Sequence, residues 1–331
     1  MTTWLPAMLF AVSLPLMAAQ TPTYGPQLGG FQYPYPAQNF SFESQGKQVQ
    51  MGYMDIKPTG EANGRSVVML HGKNFCGATW EGSIKALSAA GYRVVAPDQI
   101  GFCRSSKPAD YQYSFEQLAQ NTHALLANLG IEHVAVVGHS MGGMLATRYA
   151  LMYPDQVDQL LLVNPIGLED WKAKGVPDRS FDDWYARELK TNAESIRKYQ
   201  QSTYYANQWR PEFDHWVDMQ AGMFNGKGKE EVARASALTY GMIFNQPVFY
   251  DFEKLKVPTV LFIGQKDNTA IAKDAAPQAL RKELGNYPEL GKAVARRIPD
   301  ATLVEFAGLG HAPQIQDPEQ FNRVLLGSLK R

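Results

Sequence analysis

Apolar residues recur along this chain with two alternating kinds of spacing. Short runs at 66–70, 92–98, 134–139, 157–165, 257–264 and 301–306 are rich in Val, Leu, Ile, Ala and Met. The hydrophobicity of most of these runs is continuous rather than alternating, which predicts strands buried on both faces, as in a parallel sheet. Between them, helical spacing appears around 80–90, at 114–129, from Met141 through Leu151, and at 318–329. Ser114 reads as a helix start and Gly130 as a stop. Residues 40–56 alternate around Gly46-Lys47 and predict an antiparallel hairpin at the sheet edge. Residues 21–37, with Pro, Gly, Tyr and Gln prominent, read as an irregular arm.

Repeated strand–helix alternation implies an α/β fold, a doubly wound, mostly parallel sheet with right-handed crossovers. The alternation pauses from about 167 to 247, where the residues are helical, charged and aromatic: Trp171, Trp184, Tyr199, Tyr204 and Trp209 are among them. We read this stretch as an inserted helical cap. The expected division is a signal segment at 1–20, a core formed by 21–166 with 248–331, and the cap at 167–247. In such a sheet the ligand site lies outside the carboxyl ends of the strands.

Charge narrows the partners. Lys plus Arg number 32 and Asp plus Glu also 32, so no global field draws the chain to nucleic acid. No repeat, Walker loop or G-x-G-x-x-G turn is present. Residues 4–19 are apolar and end in small residues, which resembles a secretory signal cleaved near Ala19 and predicts a periplasmic or secreted protein. Two prolines interrupt the segment, which disfavours a permanent membrane span. Oligomeric state does not follow from the sequence. The two cysteines, Cys76 and Cys103, each follow a strand end. Adjacent strand ends could bring them together, as a disulfide in an exported chain or as free thiols in a reducing cytosol.

The candidate chemistry centres on Gly138-His139-Ser140-Met141-Gly142, where a buried strand meets a helix. A serine on such a sharp turn needs small neighbours, and the helix start aims unpaired N–H groups at the space above it. Asp267 follows the strand at 257–264, and His311 follows the strand at 301–306. A hydroxyl needs a base and the base needs a partner, so Ser140, His311 and Asp267 are the expected nucleophile, base and acid. Backbone N–H groups of Met141 and Lys73 are the expected oxyanion donors, with the Asn74 side chain as an additional one. His71 is expected to tie its loop down through its ring, and Asp98 to hold the turn that follows it. No cluster suggests a metal or an organic cofactor.

Gly138-His139-Ser140-Met141-Gly142-Gly143, His71-Gly72, Asp98 with Gly101 and Ser105, Asp267 and Gly310-His311 together resemble the α/β-hydrolase superfamily, from about Val67 to the C-terminus. The closer likeness is to its cap-bearing branch of esterases, lactonases, carbon–carbon bond hydrolases, epoxide hydrolases and haloalkane dehalogenases. Serine at the elbow departs from the aspartate of the last two groups, and His71-Gly72-Lys73-Asn74-Phe75 departs from the loop of proline iminopeptidases. The resemblance therefore implies a serine hydrolase acting on a small or medium carboxylic ester. Alternatives are a carbon–carbon hydrolase gripping a substrate carboxylate with Arg187 or Arg210, and a non-catalytic ligand-binding receptor.

Overall fold

In the computed structural model, which describes residues 21–329, eight strands form one sheet. They are β1 (Ala37–Ser44), β2 (Lys47–Ile56), β3 (Ser66–Leu70), β4 (Arg93–Pro97), β5 (Val134–His139), β6 (Val157–Val163), β7 (Thr259–Gly264) and β8 (Ala301–Phe306). Their order is β1-β2-β4-β3-β5-β6-β7-β8, with the β1–β2 and β2–β4 pairs antiparallel and the remaining pairs parallel. The hairpin at 40–56 is thus an edge, and β2 joins it to the parallel strands through β4.

Side chains of the central strands alternate between two apolar layers. Val67, Met69, Ala135 and Val137 face one layer together with Trp80, Phe321 and Leu325. Val68, Leu70, Val134 and Val136 face the other, with Leu118, Leu125 and Leu145. Burying each of the larger aliphatic side chains contributes about 1.5–3 kcal/mol, which explains why these strands carry no polar face. Helices α1 (Glu81–Ala89), α2 (Phe115–Asn128) and α3 (Met141–Met152) cover the sheet, and the Ser114 hydroxyl caps α2 by accepting from Gln117 N–H.

Register brings the strand ends level. Gly138 lies opposite Leu70 on one side and Leu162 on the other, and Val163 lies opposite Phe262. The loops that follow β3, β5, β6, β7 and β8 therefore open along one edge.

Between β6 and β7 the chain forms the inserted helices α4 (Phe181–Glu188), α5 (Ala193–Tyr199), α6 (Asp214–Phe224) and α7 (Lys229–Asn245), with a π-helical turn at Gln200–Tyr204. Aromatic stacking joins them: Trp184 lies 4.2 Å from Tyr240, and Tyr205 3.9 Å from Phe213.

The arm at 21–37 is irregular yet docked. Tyr24 N–H donates to the Gly222 carbonyl at 2.9 Å, Phe31 stacks on His215, and Tyr33 donates to Asp98 Oδ2 at 2.5 Å. Gly222 leaves room for the Tyr24 ring, which a side chain there would strike. The arm thereby links cap to core. The expected signal segment at 1–20 lies outside the described residues.

Candidate active site

Ser140 sits between β5 and α3 with φ +56° and ψ −120°, a conformation that strains a non-glycine residue. Two glycines make the turn feasible. A Cβ on Gly138 would overlap the Gly142 carbonyl, and one on Gly142 would overlap that of Leu70. The turn is pinned by Ser140 N–H to the Val163 carbonyl at 3.1 Å and by Ile166 N–H to the Ser140 carbonyl at 3.2 Å.

Ser140 Oγ lies 2.8 Å from His311 Nε2, and His311 Nδ1 lies 2.6 Å from Asp267 Oδ2. With Nδ1–H donating to the carboxylate, the Nε2 lone pair is left to accept the serine proton. Ser140 is 5% exposed, Asp267 3% and His311 0%, so this chain of hydrogen bonds is shielded from bulk water. Such an arrangement can draw a proton from a hydroxyl as it attacks and stabilise the imidazolium that results.

Asp267 is itself held. Asn164 Nδ2 donates to its Oδ2 at 2.8 Å and Thr269 N–H to its Oδ1 at 2.8 Å. Asn164 also accepts from Gly264 N–H at 3.1 Å, and its φ of +38° suits an asparagine at a strand end. Sequence reasoning missed this residue; its signal was an Asn-Pro pair closing a buried strand.

The loop after β3 lies beside Ser140, because a Cβ on Gly72 would come within 3.1 Å of Ser140 Cβ. Lys73 and Asn74 follow directly. Lys73 Nζ donates to Ser236 Oγ at 2.6 Å and stands 3.5 Å above the Tyr240 ring. Burial pushes its pKa down to about 8, against the opposing pull of Glu188. The Asn74 amide donates to Tyr204 Oη at 2.8 Å, so one of its two N–H groups is already engaged by the cap. Tyr204 in turn packs 4.9 Å from the His311 ring.

His71 and Asp98 act on loops. His71 Nδ1–H donates to the Gly72 carbonyl at 2.8 Å while its Nε2 accepts from Gln99 N–H at 3.0 Å. Desolvation lowers its pKa and keeps it neutral. Asp98 accepts from Gly77 N–H, Tyr33 Oη and Arg104 N–H. Cys76 and Cys103 are disulfide-bonded with their Cα atoms 5.9 Å apart. Their sulfurs lie close to the Asp98 carboxylate, but neither is a free thiolate, and thiolates are what a metal would need there.

The two cap arginines differ. Arg210 donates to the Gln316 carbonyl and lies 4.9 Å over Phe213. Arg187 reaches Asp274 at 2.9 Å and lines a cavity of about 270 Å³ together with Asn74, Tyr199 and Tyr240.

From residue 65 to residue 318 the sequence matches the family described as alpha/beta hydrolase fold. The chain belongs to the α/β-hydrolase family. The crystal structure of a probable hydrolytic enzyme from Pseudomonas aeruginosa PAO1 is 64% identical to this α/β-hydrolase, with a TM-score of 0.93; the match covers 95% of this chain and 100% of that one. Non-heme chloroperoxidase CPO-A1 of Kitasatospora aureofaciens is 28% identical over 292 residues, covering 81% of this chain and 93% of its own. The provisionally named carbamate hydrolase RutD of Serratia proteamaculans is 26% identical over 266 residues, covering 80% and 90% respectively. Among the described residues of this α/β-hydrolase, no helix is long and apolar enough to cross a membrane.

Proposed function

We propose that this protein is a serine hydrolase that cleaves a small or medium carboxylic ester through an acyl-enzyme. The hydrogen-bonded chain Ser140–His311–Asp267 carries the reading. Ser140 Oγ attacks the carbonyl carbon while His311 Nε2 takes its proton. The imidazolium is stabilised by Asp267, which Asn164 and Thr269 keep in place. Backbone N–H groups of Met141 and Lys73 receive the oxyanion, a contribution on the order of 3 kcal/mol per donor in comparable sites. His311 then returns the proton to the departing alcohol, and water repeats the sequence on the acyl-enzyme. The 64% identity to a probable hydrolytic enzyme supports the reaction class.

The reading extends to location: the disulfide between Cys76 and Cys103 and the apolar residues 4–19 support an exported protein, since such bonds persist in oxidising compartments. Fractionation of cells producing the full chain tests this, and recovery of all the protein in the cytosol with both thiols free would exclude it.

Hydrolysis of 4-nitrophenyl acetate, butyrate and octanoate, with Ser140→Ala measured beside the parent, tests the chemistry. Turnover and fluorophosphonate labelling that both vanish in the variant are the expected result. Turnover that persists in Ser140→Ala, or a folded, oxidised parent that neither turns over nor labels, overturns the assignment.

A further inference from the structure

A cleft of about 430 Å³ opens between the cap and the segment 268–281. Four cations, Arg179, Arg187, Lys273 and Arg281, line it against one carboxylate, Asp274. Asp274 is shared by Arg179 and Arg187, at 2.8 and 2.9 Å. The other two cations are held by backbone carbonyls: Lys273 Nζ by those of Asn268 and Leu284, and Arg281 Nε by that of Ala276. The lining thus carries an excess of cations in a chain whose charges sum to zero.

A second observation is independent of charge. Arg179 Nη1, Trp184 Nε1 and Thr269 Oγ1 are buried and have no hydrogen-bond partner among the described residues, and all three residues line this cleft. A buried polar group left unsatisfied is costly, so three on one lining call for an acceptor. Two of them can only donate. Trp184 is fixed between the Tyr240 ring at 4.2 Å and the Arg179 guanidinium at 4.9 Å. Ala272 adopts φ +54° in the same segment, a strain that a non-glycine residue carries at functional loops more often than elsewhere.

The cleft adjoins the candidate catalytic residues. Thr269 N–H bonds Asp267. Tyr199 lines the cleft and packs 5.3 Å from Tyr204, which covers His311 at 4.9 Å. Two rings, Tyr199 and Tyr204, thus connect the lining of the cleft to His311.

We propose that this cleft is a carboxylate subsite, and that the natural substrate is an ester carrying a free carboxylate on its acyl or alcohol part. The inference rests on the serine-hydrolase reading for the word substrate, but the anion site itself does not. The positive field would raise the encounter rate of such an ester, and the buried donors would hold its carboxylate while the ester carbonyl reaches Ser140.

The test compares 4-nitrophenyl butyrate with the mono-4-nitrophenyl ester of glutaric acid, and follows glutarate binding to the full chain by calorimetry. We expect kcat/KM to favour the anionic ester by about tenfold or more at low salt, a preference that shrinks as salt rises. Arg179→Gln and Trp184→Phe should each reduce that preference and weaken glutarate binding, while turnover of the neutral ester stays within about twofold. Trp184→Phe removes one N–H and keeps the stacked ring, so a folding defect in Arg179→Gln alone does not decide the matter. Equal kcat/KM for the two esters, with Ser140-dependent turnover intact, would sink the subsite and leave the hydrolase reading standing. If neither ester turns over, glutarate binding lost in Trp184→Phe upholds the anion site without the enzyme, and no binding at all ends it.

Discussion

Lys73 Nζ donates to Ser236 Oγ at 2.6 Å and stands 3.5 Å above the Tyr240 ring, and both contacts fasten the loop beside Ser140 to cap helix α7. Ser236 passes its own proton towards Glu188 Oε2 at 2.5 Å on α4, and the next residue, Asn74, is bonded to Tyr204. Two consecutive side chains of the loop are therefore gripped by the cap. If the Lys73 N–H is an oxyanion donor, the position of the cap sets its aim.

This predicts a defect in rate rather than in binding. Ser236→Ala should lower kcat for 4-nitrophenyl esters by about tenfold, less than the outright loss of a donor, with KM little changed. Steady-state kinetics on the purified variant checks it. A lower melting temperature with an unaltered kcat would show the contact to be structural only.

Asn164 gives a second prediction. It satisfies Asp267 Oδ2 and Gly264 N–H together in a buried place. Asn164→Leu strips both and leaves polar groups unpaired, at about 1–3 kcal/mol for each. Asn164→Asp retains the shape but sets a second carboxylate against Asp267, so one of the two must take up a proton. Both variants should lose activity, and the kcat–pH profile of Asn164→Asp should shift while that of Asn164→Leu keeps its form. Coincident profiles for the parent and Asn164→Asp would contradict this role.

The sheet was legible because strands buried on both faces leave continuous apolar runs, as at 134–139 and 257–264. Ser140 and Asp267 stood out as candidates for a related reason, since each closes such a run; His311 follows the half-exposed edge strand β8, and its signal was the Gly308 and Gly310 of its loop. The supporting contacts gave no such signal. Asn164 lies 103 positions from Asp267, and Lys73 lies 163 from Ser236. Pairs so far apart leave no period in the chain. The arm at 21–37 reads as irregular and is so, but its docking left no signal, because it comes from Tyr24, Phe31 and Tyr33 each docking separately rather than from any repeating pattern.

Acid should destabilise the protein through His139. Burial, reinforced by nearby His311, holds its pKa well below the ordinary 6.5, and Nε2–H donates to the His311 carbonyl at 2.8 Å. Burial lowers His71 as well. As pH falls below about 6.5, the unfolded chain binds protons that the folded one refuses, so stability declines; above that value both states are neutral at these positions and their effect is flat. Urea midpoints measured at about pH 7.5 and about pH 5.5 should differ, and the difference should shrink in His139→Gln. An equal acid loss in parent and variant would place the effect elsewhere.

The disulfide should matter to stability and to the site at once. Cys76 and Cys103 are 27 positions apart, and closing a loop of that length stabilises by about 2–4 kcal/mol, chiefly by restricting the unfolded chain. Cys76 also stands three residues after Lys73, while Cys103 sits in a left-handed conformation of φ +44°. Cys76→Ala combined with Cys103→Ala removes the bond without leaving a reactive thiol. The denaturant midpoint should fall by an amount equivalent to about 3 kcal/mol. kcat should fall as well, since the segment carrying Lys73 and Asn74 loses one of its anchors, whereas reagents that reduce exposed disulfides should act slowly on sulfurs so buried. A double variant with the parent's midpoint would mean that the native contacts around Phe75 and Asp98 already hold both loops without the bond.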